Sequence, residues 1–190
     1  YREEAADKID MIDNWSDRKA EMEERINRLN GEVGHRAKRI SEARRGAAAE
    51  LQAAVEERLR PLGMQKAVFQ ANLETKSGAN GKVVCGPTGA DRVEFLIAPN
   101  QGEPLKPLRS IASGGVVSRL MLALKTVLSE ADQIDSLIFD EVDSGIGGEV
   151  ALALGEQLAL LAEAKQILCI THLASVAVRA DNHIKVCKEV

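Results

Sequence analysis

The most informative stretch of this sequence is Leu137-Ile-Phe-Asp-Glu-Val-Asp-Ser-Gly-Ile-Gly-Gly148. In it a short apolar run ends at two adjacent carboxylates, Asp140 and Glu141, and a glycine-rich turn follows. The run predicts a buried strand, and two neighbouring carboxylates at its end raise each other's energy unless a cation lies beside them. The stretch therefore predicts a metal ion, and a phosphate with it, at the carboxyl end of the strand.

Asp140 and Glu141 suit two different tasks in phosphate chemistry. In α/β proteins that handle phosphates, an acidic residue at the carboxyl end of a strand holds Mg²⁺, usually through water, and Asp140 is the candidate for this task. The adjacent carboxylate of Glu141 is suited to orient or polarise an attacking water. The alternative interpretation is a strand that ends in an ordinary acidic turn.

A second segment predicts an anion site at the start of a helix. In Ala112-Ser-Gly-Gly-Val-Val-Ser-Arg-Leu-Met-Leu-Ala-Leu124, Ser113 fits an N-cap, and an apolar helix follows. Gly114 and Gly115 let backbone N–H groups approach an anion, and the helix dipole favours a phosphate there. Any capped helix can carry the same pattern, which is the alternative.

A third segment, Ile167-Leu-Cys-Ile-Thr-His172, places a histidine just past another apolar strand. His172 is a candidate hydrogen-bond donor to a terminal phosphate, and the alternative is a residue that only caps the strand end. The motif G-x-x-x-x-G-K-[ST] occurs nowhere in the sequence. Gly78-Ala-Asn-Gly-Lys-Val83 has too short a glycine spacing and no hydroxyl for Mg²⁺. The chain is therefore expected to touch a phosphate without cradling a nucleotide alone.

The composition excludes several classes of function. Aromatic residues make up only 3% of the 190 residues, so stacking of single-stranded bases on exposed rings is not expected. A net charge of -4 argues against a broad electrostatic grip on DNA. The three cysteines lack metal-ligand spacing and suit a reducing compartment. No apolar run approaches a membrane span and the charged N-terminus is no signal peptide, so a cytoplasmic protein without membrane contact is predicted.

Residues 1–60 are predicted to form a coiled-coil arm. Small or apolar residues recur there at spacings of three and four, with charged residues on the other faces; they are Met22, Ile26, Leu29, Val33, Ala37, Ile40, Ala43 and Ala47. Asn30-Gly31 and Gly34 predict a break or kink, and Pro61 with Gly63 ends the arm. We interpret the segment as the returning strand of an antiparallel coiled coil, and a solvated surface helix is the alternative.

Residues 61–190 are predicted to form an α/β domain with a mainly parallel sheet. Strands and helices alternate from residue 110 onward, as parallel sheets require. The predicted strands are 67–73, 93–98, 136–139 and 166–170, and the predicted helices are 115–129, 148–162 and a short one after His172. Residues 76–91, rich in glycine, are predicted to be a loop or hairpin tip.

Taken in order, these motifs resemble the C-terminal lobe of an ABC-type ATPase head of the SMC class, and within it the bacterial DNA-repair members. The resemblance covers nearly all of residues 61–190, whereas the arm matches only in character. The segments that carry it are Leu62–Met64, Val93–Phe95, Gly102–Pro104, Ala112–Gly115, Ser118–Lys125, Phe139–Gly145 and Cys169–His172.

The resemblance implies roles for individual residues. Asp140 corresponds to the Walker B aspartate that helps hold Mg²⁺, Glu141 to the catalytic glutamate, and His172 to the switch histidine that reaches the γ-phosphate of ATP. The family's signature motif binds the ATP held by the opposite head, and its D-loop lies between two heads. The matching residues are Ser113, Gly114 and Gly115 for the signature and Asp143, Ser144 and Gly145 for the D-loop.

The resemblance also implies a function and partners. Binding and hydrolysis of ATP would drive dimerisation of two heads in the recombinational repair of DNA double-strand breaks, in the cytoplasm at the nucleoid. The family carries its Walker A motif in the N-terminal half of the polypeptide, so this segment alone is expected to be inactive. The family also continues beyond the point that matches Val190, through further strands and a helix, so an uncovered sheet edge is expected in this segment.

Three alternatives to this function remain open. One is another SMC-like ATPase of chromosome maintenance or DNA repair. A second is a coiled-coil scaffold with weakened catalysis, because Val116 stands where the family usually has an acidic residue. The third is a DNA-binding module that uses a basic strip on the arm, for which a solvated coiled-coil face is the simpler interpretation. The strip would consist of Arg36, Lys38, Arg39, Arg44 and Arg45.

Overall fold

A computed structural model of the chain describes residues 2–79 and 83–187. Each predicted helix and strand is present, with ends within two residues of the prediction for the elements that follow Pro61. In chain order the elements are α1 (Arg2–Leu59), β1 (Val68–Thr75), β2 (Asp91–Ala98), β3 (Lys106–Pro107), α2 (Gly114–Val127), β4 (Ser136–Phe139), α3 (Gly148–Ala162), β5 (Gln166–Cys169) and α4 (Ala174–Ala177). No helix among the described residues is both long and apolar enough to cross a membrane.

Helix α1 runs without interruption for 58 residues, so the predicted break at Asn30-Gly31 and Gly34 is wrong. A glycine within a helix costs about 1 kcal/mol relative to alanine, which weakens a long helix without ending it. Open space surrounds both glycines where a side chain would begin. The apolar positions of the predicted seam are largely exposed on this helix; they are Met22, Ile26, Leu29, Val33 and Ile40.

The chain divides into two compact units, of which the first contains Tyr1–Arg45 and Glu74–Arg92. We call it the arm unit. Within it, the buried carboxylate of Asp91 lies 2.8 Å from the hydroxyl of Ser41 and accepts a 3.1 Å hydrogen bond from Arg44. The Ser41 hydroxyl, and after it the Arg44 guanidinium, hold the pKa of Asp91 below its usual value although burial opposes this. Together with a bond from Arg44 to the Thr88 carbonyl at 2.8 Å, these bonds fix residues 88–91 to α1, a link that the sequence did not predict.

The second unit, which we call the body unit, contains Gly46–Leu73 and Val93–Val190. One sheet has the order β1-β2-β3, with β2 and β3 antiparallel, and the other is a parallel pair of β4 and β5. The α/β class and the parallel pairing are confirmed, and the antiparallel sheet is an addition to the prediction. Because β4 and β5 are parallel, their carboxyl ends meet at one edge.

Helix α2 lies between the two apolar clusters of the body unit. Leu120, Ala123 and Leu124 pack into one cluster, around Phe69 of β1. Leu122 packs into the other, which contains Phe139 of β4 and several residues of α3. Since apolar side chains project from two sides of α2 into different clusters, packing fixes the position of the helix in two directions. The start of α2 is thereby held beside the end of β4.

Candidate functional site

The end of β4 is tied to α2 by a hydrogen bond to Asp140, and a second bond orders the turn that follows. The hydroxyl of Ser118 donates to the Asp140 carbonyl at 2.9 Å, and the backbone N–H of Glu141 donates to Oδ1 of Asp140 at the same distance. Both carboxylates are exposed to solvent. Phe139, the last residue of β4, is buried and anchors the end of the strand. The two residues that follow it, Asp140 and Glu141, therefore reach solvent side by side.

Glu141 reaches back to the first residue of α2. Its φ angle is 57°, in the left-handed region that few residues other than glycine adopt. Its carboxylate lies directly against Gly114, where any Cβ would overlap with Oε2 of Glu141. A carboxylate at this position also faces the positive end of the helix dipole. The structure therefore explains why residue 114 has no side chain.

Asp143 connects the turn after β4 to the end of β5. Only 3% of Asp143 is exposed. Its Oδ2 accepts a hydrogen bond from the Thr171 hydroxyl at 2.5 Å and another from the backbone N–H of His172 at 3.1 Å, and Nδ1 of the His172 ring lies 3.2 Å away. The ring itself is largely exposed. Nδ1 is thus directed at a buried carboxylate, which leaves Nε2 directed towards solvent.

Arg119 is a residue of the site to which the sequence analysis gave no role. It is buried in α2, and its Nη1 donates to the Ser144 carbonyl at 2.9 Å and to the Val142 carbonyl at 3.4 Å. A single charged residue within the apolar run of a helix was the signal that could have identified it. Its acceptors lie 23 and 25 residues away, beyond the reach of local patterns.

The signature-like segment lies at the start of α2. Ser113 is the N-cap, as predicted, but its side chain makes no capping hydrogen bond. A Cβ at Gly115 would come within 3.1 Å of the Ser144 carbonyl oxygen, so the turn after β4 packs closely on the first turn of α2. Gly145 follows with a φ of 72°, which allows the chain to turn away.

The contacts thus bring the predicted site residues together in pairs. Glu141 lies against Gly114, Ser144 lies against Gly115, and Asp143 binds His172. Asp140 is connected to the same region through Ser118. Ser113 lies at the N-cap of α2, and Gly145 lies in the turn after β4 with a positive φ. Their roles in chemistry remain predictions.

The carboxylates at the end of β4 suit Mg²⁺ better than a metal ion that takes all its ligands from protein side chains. In residues 2–79 and 83–187 no group of three or more His, Cys, Asp or Glu side chains is arranged to hold a metal ion. Magnesium is commonly bound by one or two carboxylates, with phosphate oxygens and waters as the remaining ligands. The exposed carboxylates of Asp140 and Glu141 meet that requirement.

Cys169, the last residue of β5, lies in the negative electrostatic potential of the site. Burial first, and the carboxylates of Asp143 and Asp140 after it, together raise the pKa of its thiol to about 11. Charged groups that oppose a thiolate here would favour a cation at the same place.

Comparison with known proteins gives a consistent group of relatives. No protein-family model matches the chain. The DNA repair protein RecN of Treponema pallidum is 45% identical over 189 residues, which is 100% of this chain and 33% of that protein. RecN of Halalkalibacterium halodurans is 37% identical over 189 residues and RecN of Bacillus subtilis 35% identical over 198 residues. They too match 100% of this chain, which in turn covers 33% and 34% of their lengths.

An Smc head domain from Pyrococcus furiosus with an extended coiled coil, bound to the C-terminal domain of ScpA, has a TM-score of 0.49 at 18% identity. The match covers 69% of this chain and 30% of that one. The chain spans about a third of the length of the curated relatives. Identity of 35% or more over its whole length shows that the chain belongs to the RecN family of DNA repair proteins, as the C-terminal part of such a protein.

Proposed function

We propose that this chain is the C-terminal part of an ATPase head that binds and hydrolyses ATP in the repair of DNA double-strand breaks. The observation that carries the proposal is the carboxylate of Glu141, held against Gly114 at the start of α2 and directly after Asp140. In the same turn after β4, Asp143 binds His172, which follows the neighbouring strand β5. An acid, a base and an anion-binding helix start are the parts that phosphoryl transfer to water needs.

Each side chain has a distinct task in this proposal. Asp140 provides the carboxylate for Mg²⁺, which supplies charge neutralisation on the phosphate oxygens when bound. Glu141 accepts a hydrogen bond from the attacking water and takes up its proton. His172, as an imidazolium whose Nδ1–H faces Asp143, donates its other N–H, at Nε2, to the terminal phosphate. The N–H groups of Gly114 and Gly115 bind the phosphate of an ATP held by another head.

The missing nucleotide cradle is proposed to come from the N-terminal half of the same protein. An exposed apolar face supports this partner. Ile138 of β4 is 71% exposed, and Leu168 and Ile170 at β5 are 46% and 59% exposed. Parallel strands are normally covered on both faces, so a further lobe is expected on this one.

Two further partners follow from the family resemblance. A second head would complete the site, because the signature residues Ser113, Gly114 and Gly115 act on nucleotide bound elsewhere. Binding of ATP and association of the heads are then linked, since each stabilises the other. The exposed seam on α1 supports a returning coiled-coil strand, through which head closure would act on DNA at the nucleoid in the cytoplasm.

A catalytically weakened scaffold is the second candidate, and Val116 is the observation that favours it. Val116 is partly buried and packs against the first apolar cluster. The valine therefore has a structural reason, independent of nucleotide binding. An acidic side chain at this position would have to point away from the cluster. The mutation Val116→Glu therefore tests whether the lack of an acidic residue here limits engagement of the heads.

The DNA-binding alternative loses one of its basic residues. Arg44 donates to Asp91 at 3.1 Å and to the Thr88 carbonyl at 2.8 Å, so it is engaged within the arm unit. The remaining basic residues are Arg36, Lys38, Arg39 and Arg45. Reversal of their charges with no loss of DNA affinity, and no change in its salt dependence, would remove this alternative.

The proposal is tested by steady-state ATP hydrolysis. This chain is assayed alone and after co-expression with the N-terminal half of its parent protein. We expect activity only in the mixture, and a loss of about a hundredfold or more with Glu141→Gln. A folded mixture that hydrolyses no ATP, or an unchanged rate with Glu141→Gln, contradicts the proposal.

A further inference from the structure

Arg119 is a charged residue at the centre of the candidate site that the proposed mechanism does not use. It lies four residues after Gly115 in α2, and only 8% of it is exposed. Burial lowers the pKa of its guanidinium. Its two acceptors are neutral carbonyls, and its Nε has no hydrogen-bond partner among the described residues. A buried cation without full compensation opposes stability, so its presence calls for another explanation.

The two carbonyls belong to the residues on either side of Asp143. Nη1 of Arg119 binds the Val142 carbonyl at 3.4 Å and the Ser144 carbonyl at 2.9 Å. The Val142 carbonyl belongs to the peptide unit directly before Asp143 and the Ser144 carbonyl to the unit directly after Ser144, so Arg119 holds the backbone on both sides of Asp143. The direction of the Asp143 side chain is therefore determined from α2.

The carboxylate of Asp143 transmits this restriction to the end of β5. It accepts hydrogen bonds from the Thr171 hydroxyl at 2.5 Å and from the backbone N–H of His172 at 3.1 Å, and the His172 ring lies 3.2 Å away. The Thr171 hydroxyl in turn accepts from the backbone N–H of Leu173 at 3.1 Å. A continuous series of contacts thus runs from Arg119 through Asp143 to His172.

We propose that Arg119 is a positioning residue for ATP hydrolysis: it fixes the segment 142–144 to α2 and, through Asp143, sets the orientation of His172. The inference rests on the proposed function for its chemistry, but its geometric part can be tested without nucleotide. Gly115 supports the same arrangement, because the close approach of Ser144 to α2 leaves no room for a Cβ there.

The geometric part is tested by hydrogen exchange of the full-length protein without nucleotide. With Arg119→Met we expect the backbone amide of His172 to exchange at least about threefold faster, because its acceptor Asp143 is no longer fixed. The matched control is Lys125→Met, on the same helix, whose ammonium binds Asp132 at 2.5 Å instead. An unchanged amide of His172 in Arg119→Met overturns the inference, whether or not the protein hydrolyses ATP.

The chemical part is tested by steady-state kinetics of the same proteins. Arg119→Met is expected to lower kcat for ATP at least about tenfold while KM changes less than about twofold, because the residue acts on orientation and not on nucleotide binding. Arg119→Lys retains a charged donor on a side chain one atom shorter, so its kcat is expected to lie between those of the wild type and Arg119→Met. Lys125→Met is expected to keep the wild-type kcat, with melting temperatures recorded for all variants.

The outcomes separate the two proposals. If the wild-type protein has no ATPase activity, the proposed function is contradicted. The hydrogen-exchange result then decides by itself whether Arg119 fixes the position of His172. Wild-type kcat in Arg119→Met, or an equal fall in Lys125→Met, overturns the positioning role. If Arg119→Met does not fold, Arg119→Lys decides: a lower kcat at an unchanged melting temperature supports the role, and a wild-type kcat overturns it.

Discussion

Glu141 combines an unfavourable backbone with a precise side-chain position. A φ of 57° costs a residue with a Cβ roughly 1–2 kcal/mol. Two hydrogen bonds hold the conformation: the Glu141 N–H donates to Asp140 Oδ1 at 2.9 Å, and its carbonyl accepts from the Ser144 N–H at 3.0 Å. Strain of this kind persists where the surroundings determine it, and here it directs the carboxylate to Gly114.

Gly114→Ala is expected to displace that carboxylate. The new Cβ would overlap with Oε2 of Glu141, so the side chain must rotate away. Because Glu141 is exposed, the stability should change by no more than about 0.5 kcal/mol. ATP hydrolysis by the full-length protein should fall at least about tenfold, since the base leaves its position. Steady-state ATPase rates and thermal unfolding measure the two effects.

Gly147→Ala is the matched control for this substitution. A Cβ at Gly147 meets nothing within 4 Å, so the wild-type rate should be retained. The double variant Gly114→Ala with Glu141→Gln should be no slower than Glu141→Gln alone, because both changes remove the same group. Wild-type hydrolysis in Gly114→Ala would show that the contact with Glu141 has no part in the reaction.

The thiol of Cys169 should react slowly with iodoacetamide. Its pKa is raised to about 11 by burial and then by the carboxylates of Asp143 and Asp140. At pH 8 only about one thiol in a thousand is then a thiolate, against about one in four for an ordinary cysteine. Alkylation should be at least about a hundredfold slower than that of a cysteine peptide in the same tube.

The sign of this effect can be checked by varying the pH. Because the neutral thiol is the favoured form, the alkylation rate of Cys169 should rise about tenfold per pH unit until the pH approaches 11. Mass spectrometry of digested protein separates Cys169 from the other two cysteines. A rate at pH 8 equal to that of the peptide would contradict the raised pKa.

At the scale of elements, local patterns predicted strands and helices well where both ends carry a signal. The limits of β4 and α3 were predicted to the residue, because β4 ends at a carboxylate pair and α3 begins at the last of several glycines. Continuity of α1 was predicted wrongly, since glycine was taken as a break although its cost is only about 1 kcal/mol within a cooperative helix.

The contacts between elements were beyond local patterns. Ser41 and Asp91 are 50 residues apart, and Arg119 binds carbonyls 23 and 25 residues away. Such pairs depend on how packed elements meet, which neither periodicity nor spacing describes. The sequence indicated which residue types form the candidate site. The buried carboxylate of Asp143, which binds His172, became visible only in the structure.

The long helix itself allows a prediction. Gly31 and Gly34 are exposed in α1, and no atom lies within 4 Å of the place where a Cβ would be. Replacing both by alanine should stabilise this part of the helix by about 1 kcal/mol per residue. Hydrogen exchange of the backbone amides from 25 to 40 in the full-length protein should slow accordingly.

Gly89→Ala provides the opposite control in the arm unit. Gly89 has a φ of 92°, and a Cβ there would lie 3.4 Å from Nη1 of Arg44, so alanine should destabilise the turn. Faster exchange after the two substitutions in α1 would mean instead that another helix packs closely on Gly31 and Gly34, and the position of the coiled-coil seam would have to be revised.

At the scale of the whole molecule, the parallel pair β4–β5 is incomplete as a hydrophobic layer. Ile138 and Leu168 are partners in the strand register, and both are exposed. Ile170 continues the same face. The opposite face packs against α3 through Phe139 and Leu158. A two-stranded parallel sheet covered on one side only is rarely stable alone, so the uncovered side marks where the rest of the head is expected.

Ile138→Lys should therefore weaken assembly with the N-terminal half of the protein without unfolding this chain. The side chain is 71% exposed here, so lysine costs little until a partner covers it. An unpaired ammonium in an apolar interface costs several kcal/mol, and the affinity between the separately purified halves should fall at least about thirtyfold in titration calorimetry. Leu160→Lys, 44% exposed on α3, is the matched control and should bind normally. Normal binding by Ile138→Lys, or an equal loss with Leu160→Lys, would place the N-terminal half on a different face, and the candidate ATP site would then have to be completed from there.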